Sequence, residues 1–192
     1  AEEVEDAALA SATYVHMTGN HTRLTIPVAA RARRLGTKVS FDLERLQSSI
    51  DESTKDRLLS LADIIFPNEE GLYSYSGCSL IEKGARVLLD KGPEVVVVTK
   101  GSRGAEVFTR DEHFSVPAFG KRVVDTTGAG DTFNGAFLAA LCKGYSLRDC
   151  AFLACAAAAR QISEVGCRTK LSTEAQALTF LKENGIYLRY NR

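Results

Sequence analysis

Residues 80–99, LIEKGARVLLDKGPEVVVVT, indicate the fold class more clearly than any other stretch of the sequence. The apolar spacing of residues 80–90 predicts a helix, and the Lys-Gly-Pro at 91–93 is a helix stop signal. Residues 95–98 are all valine, which is typical of a strand buried on both faces of a parallel sheet. Helices must then cover both faces, so the sequence predicts a three-layer α/β/α fold with a mostly parallel sheet.

Strands and helices alternate through the first half of the sequence, which implies parallel pairing with right-handed crossovers. The β-prone runs lie at residues 12–17, 38–43 and 63–66, and the helical patterns end at 35, cover 51–62 and restart at 68. Beyond residue 99, two short β-prone runs predict a hairpin over 105–116. The remaining helical patterns lie at residues 129–143, 147–163 and 173–184.

The composition describes an ordinary globular domain and excludes several classes of function. The 24 basic and 24 acidic residues balance, so the chain lacks the basic excess that nucleic-acid binding requires. No apolar run reaches the roughly 18 residues of a membrane span. The five cysteines form no C-x-x-C pair, which argues against a disulfide framework or a zinc site. We therefore predict one cytoplasmic domain over residues 1–192, with neither nucleic acid nor membrane as a partner.

Residues 123–138, VVDTTGAGDTFNGAFL, carry the strongest functional signal. They predict a short β-prone lead, a glycine turn and the first turns of a helix. Backbone N–H groups at a helix start have no partner within the helix, and glycines let an anion approach them closely. Asp131 falls in the first helical turn, where its carboxylate could accept a proton from a hydroxyl while adjacent amides stabilise a transferring phosphoryl group. The pattern therefore favours phosphotransfer.

Other interpretations of this stretch must be compared with that one. It is not a dinucleotide fingerprint, because Phe133 stands where the third glycine would be, and no Gly-Lys-Ser/Thr of a P-loop follows. An acidic residue in a first helical turn and glycines before a helix also occur for stability alone. The residues by themselves thus leave a structural role for Gly128, Gly130 and Asp131 open.

With its context, the string DTTGAGDTF resembles the second signature of the PfkB carbohydrate kinase family, the ribokinase-like sugar and nucleoside kinases. Residues 98–104, VTKGSRG, come after the predicted buried strand and look like the family's T-x-G-x-x-G nucleotide loop. Residues 65–70, IFPNEE, look like its Pro-Asn-Glu segment. These matches occur in the family's order and imply a ribokinase-like fold and an ATP-dependent kinase.

The resemblance assigns the chemistry to the glycine turn. Asp131 would be the base that takes the proton of the acceptor hydroxyl. Gly128, Ala129 and Gly130 would supply the anion hole for the γ-phosphate of ATP. Small residues within 154–159 would border the adenine ring, an assignment that rests on the family analogy alone.

The resemblance also places ATP at two other loops. Thr99, Gly101 and Gly104 would border its phosphates, and Asn68 would belong to the segment that organises phosphate and Mg²⁺. The residues themselves permit plainer roles. Asn68 follows a proline and precedes a helical pattern, as an N-cap does, and a threonine with two glycines can shape a tight turn after a strand.

Two metal sites follow from the resemblance, and one departs from the family pattern. Asp125 and the Thr127 carbonyl resemble the family's monovalent-cation site, which would hold an ion such as K⁺. The family commonly reads N-x-x-E after the proline, whereas Gly71 occupies the glutamate position here. Glu70, one residue earlier, is the remaining candidate for Mg²⁺, although one residue turns a helical side chain by about 100°.

The resemblance covers nearly all of this chain but only the later part of the family's domain. The N-terminal strands, the β lid and the first glycine-rich signature are lacking, and the chain begins inside a helical pattern. We expect an ATP-dependent carbohydrate kinase that phosphorylates a hydroxyl of a small sugar or polyol. The alternative is a truncated, catalytically incompetent nucleotide-binding fragment or module. The identity of the acceptor and the formation of a homodimer stay open.

Overall fold

The computed structural model describes residues 3–44, 50–120 and 123–188. Within them the helices are α1 (Asp6–Ser11), α2 (Thr22–Arg34), α3 (Glu52–Ser60), α4 (Glu69–Ser76), α5 (Ile81–Asp90), α6 (Ala129–Cys142), α7 (Leu147–Gln161) and α8 (Glu174–Glu183). The strands are β1 (Tyr14–Thr18), β2 (Lys38–Leu43), β3 (Ile64–Pro67), β4 (Val95–Thr99), β5 (Ala105–Phe108) and β6 (His113–Val116). A 3₁₀ turn covers Gly101–Arg103. None of the helices in these ranges is both long enough and apolar enough to cross a bilayer.

The predicted alternation of strands and helices is confirmed. β1 to β4 pair in parallel, with Val15 opposite Val39 and Ile65 opposite Val96. Among the described residues, the parallel strands follow the order β1-β2-β3-β4 across the sheet. The predicted three-layer α/β/α class with a mostly parallel sheet is therefore confirmed as well.

The first of two compact units comprises the described residues up to Thr99 together with Phe108–His113. β2, β3 and β4 are buried along most of their length because they are largely apolar: Phe41, Ile65 and Val96 are fully buried. β1 is only partly buried. Each such side chain contributes about 1.5–3 kcal/mol when it leaves water. The carboxyl ends of the parallel strands meet at one edge of the sheet, the edge at which α/β folds bind ligands.

The second compact unit comprises Lys100–Val107 and the described residues from Phe114 onward. In it, α6 and α8 both pack against α7. α7 is buried along most of its length through small side chains such as Ala151, Ala154 and Cys155. Burial raises the pKa of the Cys155 thiol to about 12, so this cysteine behaves as a small apolar residue. The packing of α6 on α7 fixes the helix start that carries the glycine turn.

Candidate active site

The glycine turn enters α6 without a side-chain cap. Gly128 is the N-cap residue and has a φ of 76°, in the left-handed region that glycine adopts without strain. A Cβ atom at Gly128 would lie 2.9 Å from the Cβ atom of Cys167, so the position requires glycine for space as well. Conformation and packing together hold the turn in one place.

The amides at the start of α6 differ in their availability to a ligand. The Ala129 N–H donates to the Thr126 carbonyl over 3.1 Å. Among the described residues, no acceptor takes a hydrogen bond from the amides of Gly130 and Asp131. A Cβ atom built on Gly130 would meet no atom of the described residues within 4 Å, so glycine is not required there for space. Free amides at the positive end of a helix fit the phosphate group of a nucleotide.

Asp131 lies in the first turn of α6 with its side chain exposed. It lines a cleft of about 480 Å³ together with Gly128 and Thr132. Further along α6 the lining consists of glycine and alanine, and Ala157 of α7 contributes to it. A carboxylate in this place can accept a proton from a hydroxyl that enters the cleft. The structure thus brings Asp131 and Gly128, two of the predicted residues, into one site.

Asp125 ties the glycine turn to the loop after α7. Its Oδ1 accepts from the Thr127 amide and its Oδ2 from the Gly166 amide, each over 2.9 Å. The bond from Gly166, followed by the bond from Thr127, holds the pKa of Asp125 below its usual range. Each carboxylate oxygen keeps a further lone pair. Carboxylate and carbonyl oxygens suit a hard cation, so the residues fit the expected monovalent-cation site, which stays a prediction.

Asn68 and Thr99 lie side by side after β3 and at the end of β4, where their backbones form an isolated parallel bridge. Asn68 is also the N-cap of α4, because its Oδ1 accepts from the Gly71 amide over 2.7 Å. The capping role that the residues allow is therefore present. The expected contact of Asn68 and Thr99 with phosphate stays a prediction.

The loop after β4 is a tight turn that depends on its glycines. Gly101 and Gly104 have φ values of 55° and 84°. The Lys100 amide donates to the Gly104 carbonyl over 2.8 Å, which closes the turn. A Cβ atom at Gly104 would lie 2.0 Å from the Val116 carbonyl oxygen. The glycines shape this turn, and the expected contact with the ATP phosphates stays a prediction.

Gly71, at the position where the family pattern has glutamate, is closed off by the backbone. It is buried, and a Cβ atom there would lie 1.8 Å from the Leu43 carbonyl oxygen. A side chain at this position therefore requires α4 or the end of β2 to move. Glu70 is exposed in the first turn of α4. Over residues 3–44, 50–120 and 123–188, no group of three or more His, Cys, Asp or Glu residues could hold a metal ion.

The cleft includes side chains that the sequence analysis missed. They lie in the irregular connection between α7 and α8 and are Cys167, Arg168, Leu171 and Ser172. No apolar period and no motif marks this connection. The one signal near it is Gly166, which indicates the end of a helical pattern.

Comparison with known proteins identifies the family. The model of the pfkB family carbohydrate kinase matches residues 1–174 of this chain. Since that match covers far more than half of the sequence, the chain belongs to this family. The resemblance drawn from the three loops is confirmed.

Two relatives and one solved structure illustrate the likeness. A ribokinase of Haemophilus influenzae is 35% identical over 156 residues, which cover 79% of this chain and 49% of the ribokinase. A nucleoside kinase of Methanothermobacter thermautotrophicus is 29% identical over 171 residues, which cover 89% of this chain and 54% of that kinase. A ribokinase of Arabidopsis thaliana, solved in complex with ribose and ATP, matches with a TM-score of 0.79 at 27% identity, over 92% of this chain and 58% of that protein. The chain thus spans about half the length of the curated relatives it matches.

Proposed function

We propose that this chain carries the phosphotransfer part of an ATP-dependent kinase whose acceptor is a hydroxyl of a small sugar, a polyol or a nucleoside. One observation carries the proposal: the exposed Asp131 carboxylate lies in the first turn of α6 with the amides of Gly130 and Asp131, for which the described residues supply no acceptor. The relatives named ribokinase and nucleoside kinase support the same class of phosphotransferase.

Each part of the site has one chemical task. Asp131 accepts the proton of the acceptor hydroxyl as that oxygen attacks the γ-phosphorus of ATP. A bond forms between the acceptor oxygen and the γ-phosphorus, the bond from that phosphorus to the bridging oxygen breaks, and ADP leaves with the bond's electrons. The amides of Gly130 and Asp131 stabilise the charge on the phosphoryl oxygens. Positioning and charge stabilisation supply the rate enhancement.

The two expected ions make different demands on the chain. Mg²⁺ would neutralise charge on the nucleotide phosphates, and it is usually held by those phosphates, water and one or two carboxylates. Because Gly71 cannot carry a side chain in this packing, Asn68 and Glu70 are the residues at the start of α4 that would contact its water shell. Asp125 and the Thr127 carbonyl would hold a monovalent cation such as K⁺ beside the glycine turn.

A nucleotide-binding module without turnover is the second candidate. The closed position at Gly71 favours it, because the glutamate of the family pattern has no room there. ATP binding without ADP release for any acceptor would establish it. Both candidates are proposed as cytoplasmic proteins that bind neither nucleic acid nor membranes, in a single domain over residues 1–192. A homodimer is compatible with either candidate.

The test of the kinase is the replacement Asp131→Asn in the longest reading frame that contains this chain. Because the carboxamide cannot take up the proton, we expect kcat to fall by at least about 100-fold while the KM for ATP stays within about threefold. ADP release with ribose, fructose, keto-deoxy sugar acids and nucleosides measures both quantities and identifies the acceptor.

Asp149→Asn is the matched control. Asp149 also lies in the first turn of a helix, α7, and it does not belong to the cleft lining. A general effect of removing a negative charge from a helix start would therefore appear in both variants. Turnover of Asp131→Asn within about threefold of the wild type would eliminate Asp131 as the base.

A further inference from the structure

The cleft beside Asp131 contains one positive charge. Of the described residues that line it, Asp131 and Arg168 are charged and the others are neutral. ATP and ADP carry several negative charges. If Asp131 were the only charged residue of the lining, its carboxylate would repel them. Arg168 brings the formal charge of the described lining to zero.

The Arg168 side chain is available to a ligand. It is exposed, and within the described part of the chain no carboxylate forms an ion pair with it. Its near neighbour Lys170, in contrast, is paired with the Glu164 carboxylate. A guanidinium stays charged at any ordinary pH and presents five N–H donors in one plane, which matches phosphate oxygens.

The segment that carries Arg168 is anchored on both sides. On one side, the Gly166 amide donates to Asp125 Oδ2 over 2.9 Å. On the other, the Ser172 hydroxyl accepts from Arg160 Nε over 2.7 Å. These bonds hold Arg168 on a short span whose first anchor, Asp125, belongs to the glycine turn. A span that is already ordered loses less freedom when a ligand binds.

We propose that Arg168 binds the phosphates of the nucleotide in the same cleft as Asp131. The proposal rests on the proposed kinase function. Phosphate is favoured over a singly charged acceptor for two reasons. The amides of Gly130 and Asp131, for which the described residues supply no acceptor, lie in the same helix turn as the cleft residue Asp131 and suit an anion. A guanidinium also binds phosphate through two parallel hydrogen bonds. The glycine and alanine lining of α6, with Leu171, leaves an apolar surface for the nucleoside.

The test uses the protein of the longest reading frame that contains this chain, as for Asp131→Asn, and measures nucleotide binding by calorimetry with ATP, ADP and adenosine as probes. For Arg168→Ala we expect the affinities for ATP and ADP to fall by about 10- to 100-fold, because a charged hydrogen-bonding group is lost. Adenosine should bind within about twofold of its wild-type affinity, since it has no phosphate. Arg168→Lys should restore part of the loss, and higher salt should diminish the difference between Arg168→Ala and the wild type.

Lys170→Ala is the matched control, because it removes a positive charge from the same segment outside the cleft lining. Its ATP affinity should stay within about twofold of wild type. An equal loss of adenosine affinity in Arg168→Ala would assign Arg168 to the shape of the cleft and overturn the proposal. Unchanged ATP affinity with a raised KM for an acidic acceptor would also overturn it. If the wild-type chain binds no ATP, the proposed function fails, and this proposal fails with it.

Discussion

Helices α4 and α6 begin with similar sequence cues and end up with different surroundings. The first turn of α4 contains Glu69 and Glu70, that of α6 contains Asp131, and each turn includes a glycine. At the start of α4, the Asn68 side chain accepts from the Gly71 amide, so a side chain of the protein caps this helix. At the start of α6 no side chain forms a cap, and among the described residues the amides of Gly130 and Asp131 have no acceptor.

The two glycines show the same contrast. A Cβ atom at Gly71 would lie 1.8 Å from the Leu43 carbonyl oxygen, whereas one at Gly130 would meet no atom of the described residues within 4 Å. A glycine at a helix start can therefore be a packing requirement or an opening for a ligand, and the space beside it decides which. The comparison favours a structural role for the start of α4 and an anion site at the start of α6.

Gly71→Ala should have the largest effect on stability. The new methyl carbon would start 1.8 Å from the Leu43 carbonyl oxygen, so α4 or the end of β2 must move. Overpacking costs about 1–3 kcal/mol, and contact with backbone places this case near the upper end, at about 3 kcal/mol. Urea unfolding, compared by midpoint at unchanged slope, measures the loss.

Gly130→Ala is the control for this prediction. Gly130 lies within α6 beside open space, so alanine should leave the free energy of unfolding unchanged or raise it by up to about 1 kcal/mol. Equal midpoints for Gly71→Ala and Gly130→Ala would show that the distinction between a closed and an open glycine is wrong.

Asn68→Ala should have an intermediate effect. Loss of the bond from the Gly71 amide to Asn68 Oδ1 should cost about 1 kcal/mol of unfolding free energy, the usual value for an N-cap. Asn68→Ser separates this role from the predicted role toward phosphate and Mg²⁺, because serine keeps the cap but lacks the carboxamide. We expect Asn68→Ser to match wild type in thermal unfolding and to lose turnover. Full stability of Asn68→Ala would contradict the capping role.

The buried strands of the sheet could be predicted from the sequence, because a strand that is buried on both faces is a continuous run of apolar residues. The valine run predicted at 95–98 is β4, and the run predicted at 38–43 coincides with β2. Continuous apolar residues bounded by turn signals are a local property, so a reader of the sequence sees them directly. The 3₁₀ turn Gly101–Arg103 was not predicted, since short turns of this kind leave no periodic pattern.

The candidate site was only partly predictable. Asp131 and Gly128 belong to a local motif, so their shared cleft follows from residues adjacent in sequence. Arg168 reaches the same cleft from the connection after α7, and only tertiary packing brings it there. The closed space at Gly71 depends on the Leu43 carbonyl of another element, which no local pattern reveals. The sequence thus indicates site residues that lie within one segment, whereas tertiary packing determines which residues from other segments line the same cleft.

The pH dependence of stability should show the smallest effect, at Asp125. The bonds from the Gly166 and Thr127 amides lower its folded-state pKa, so the ionised carboxylate stabilises the fold. This contribution to stability is complete above the pKa that Asp125 has in the unfolded chain, about 4. It is lost as the pH falls through the lower pKa that Asp125 has in the folded protein. The stability difference between wild type and Asp125→Asn should therefore be constant above about pH 5 and shrink below about pH 4. Thermal unfolding of both proteins from about pH 3 to about pH 7 measures this stability difference. If the stability difference is unchanged at about pH 3, the charge of Asp125 does not hold the glycine turn to the loop after α7.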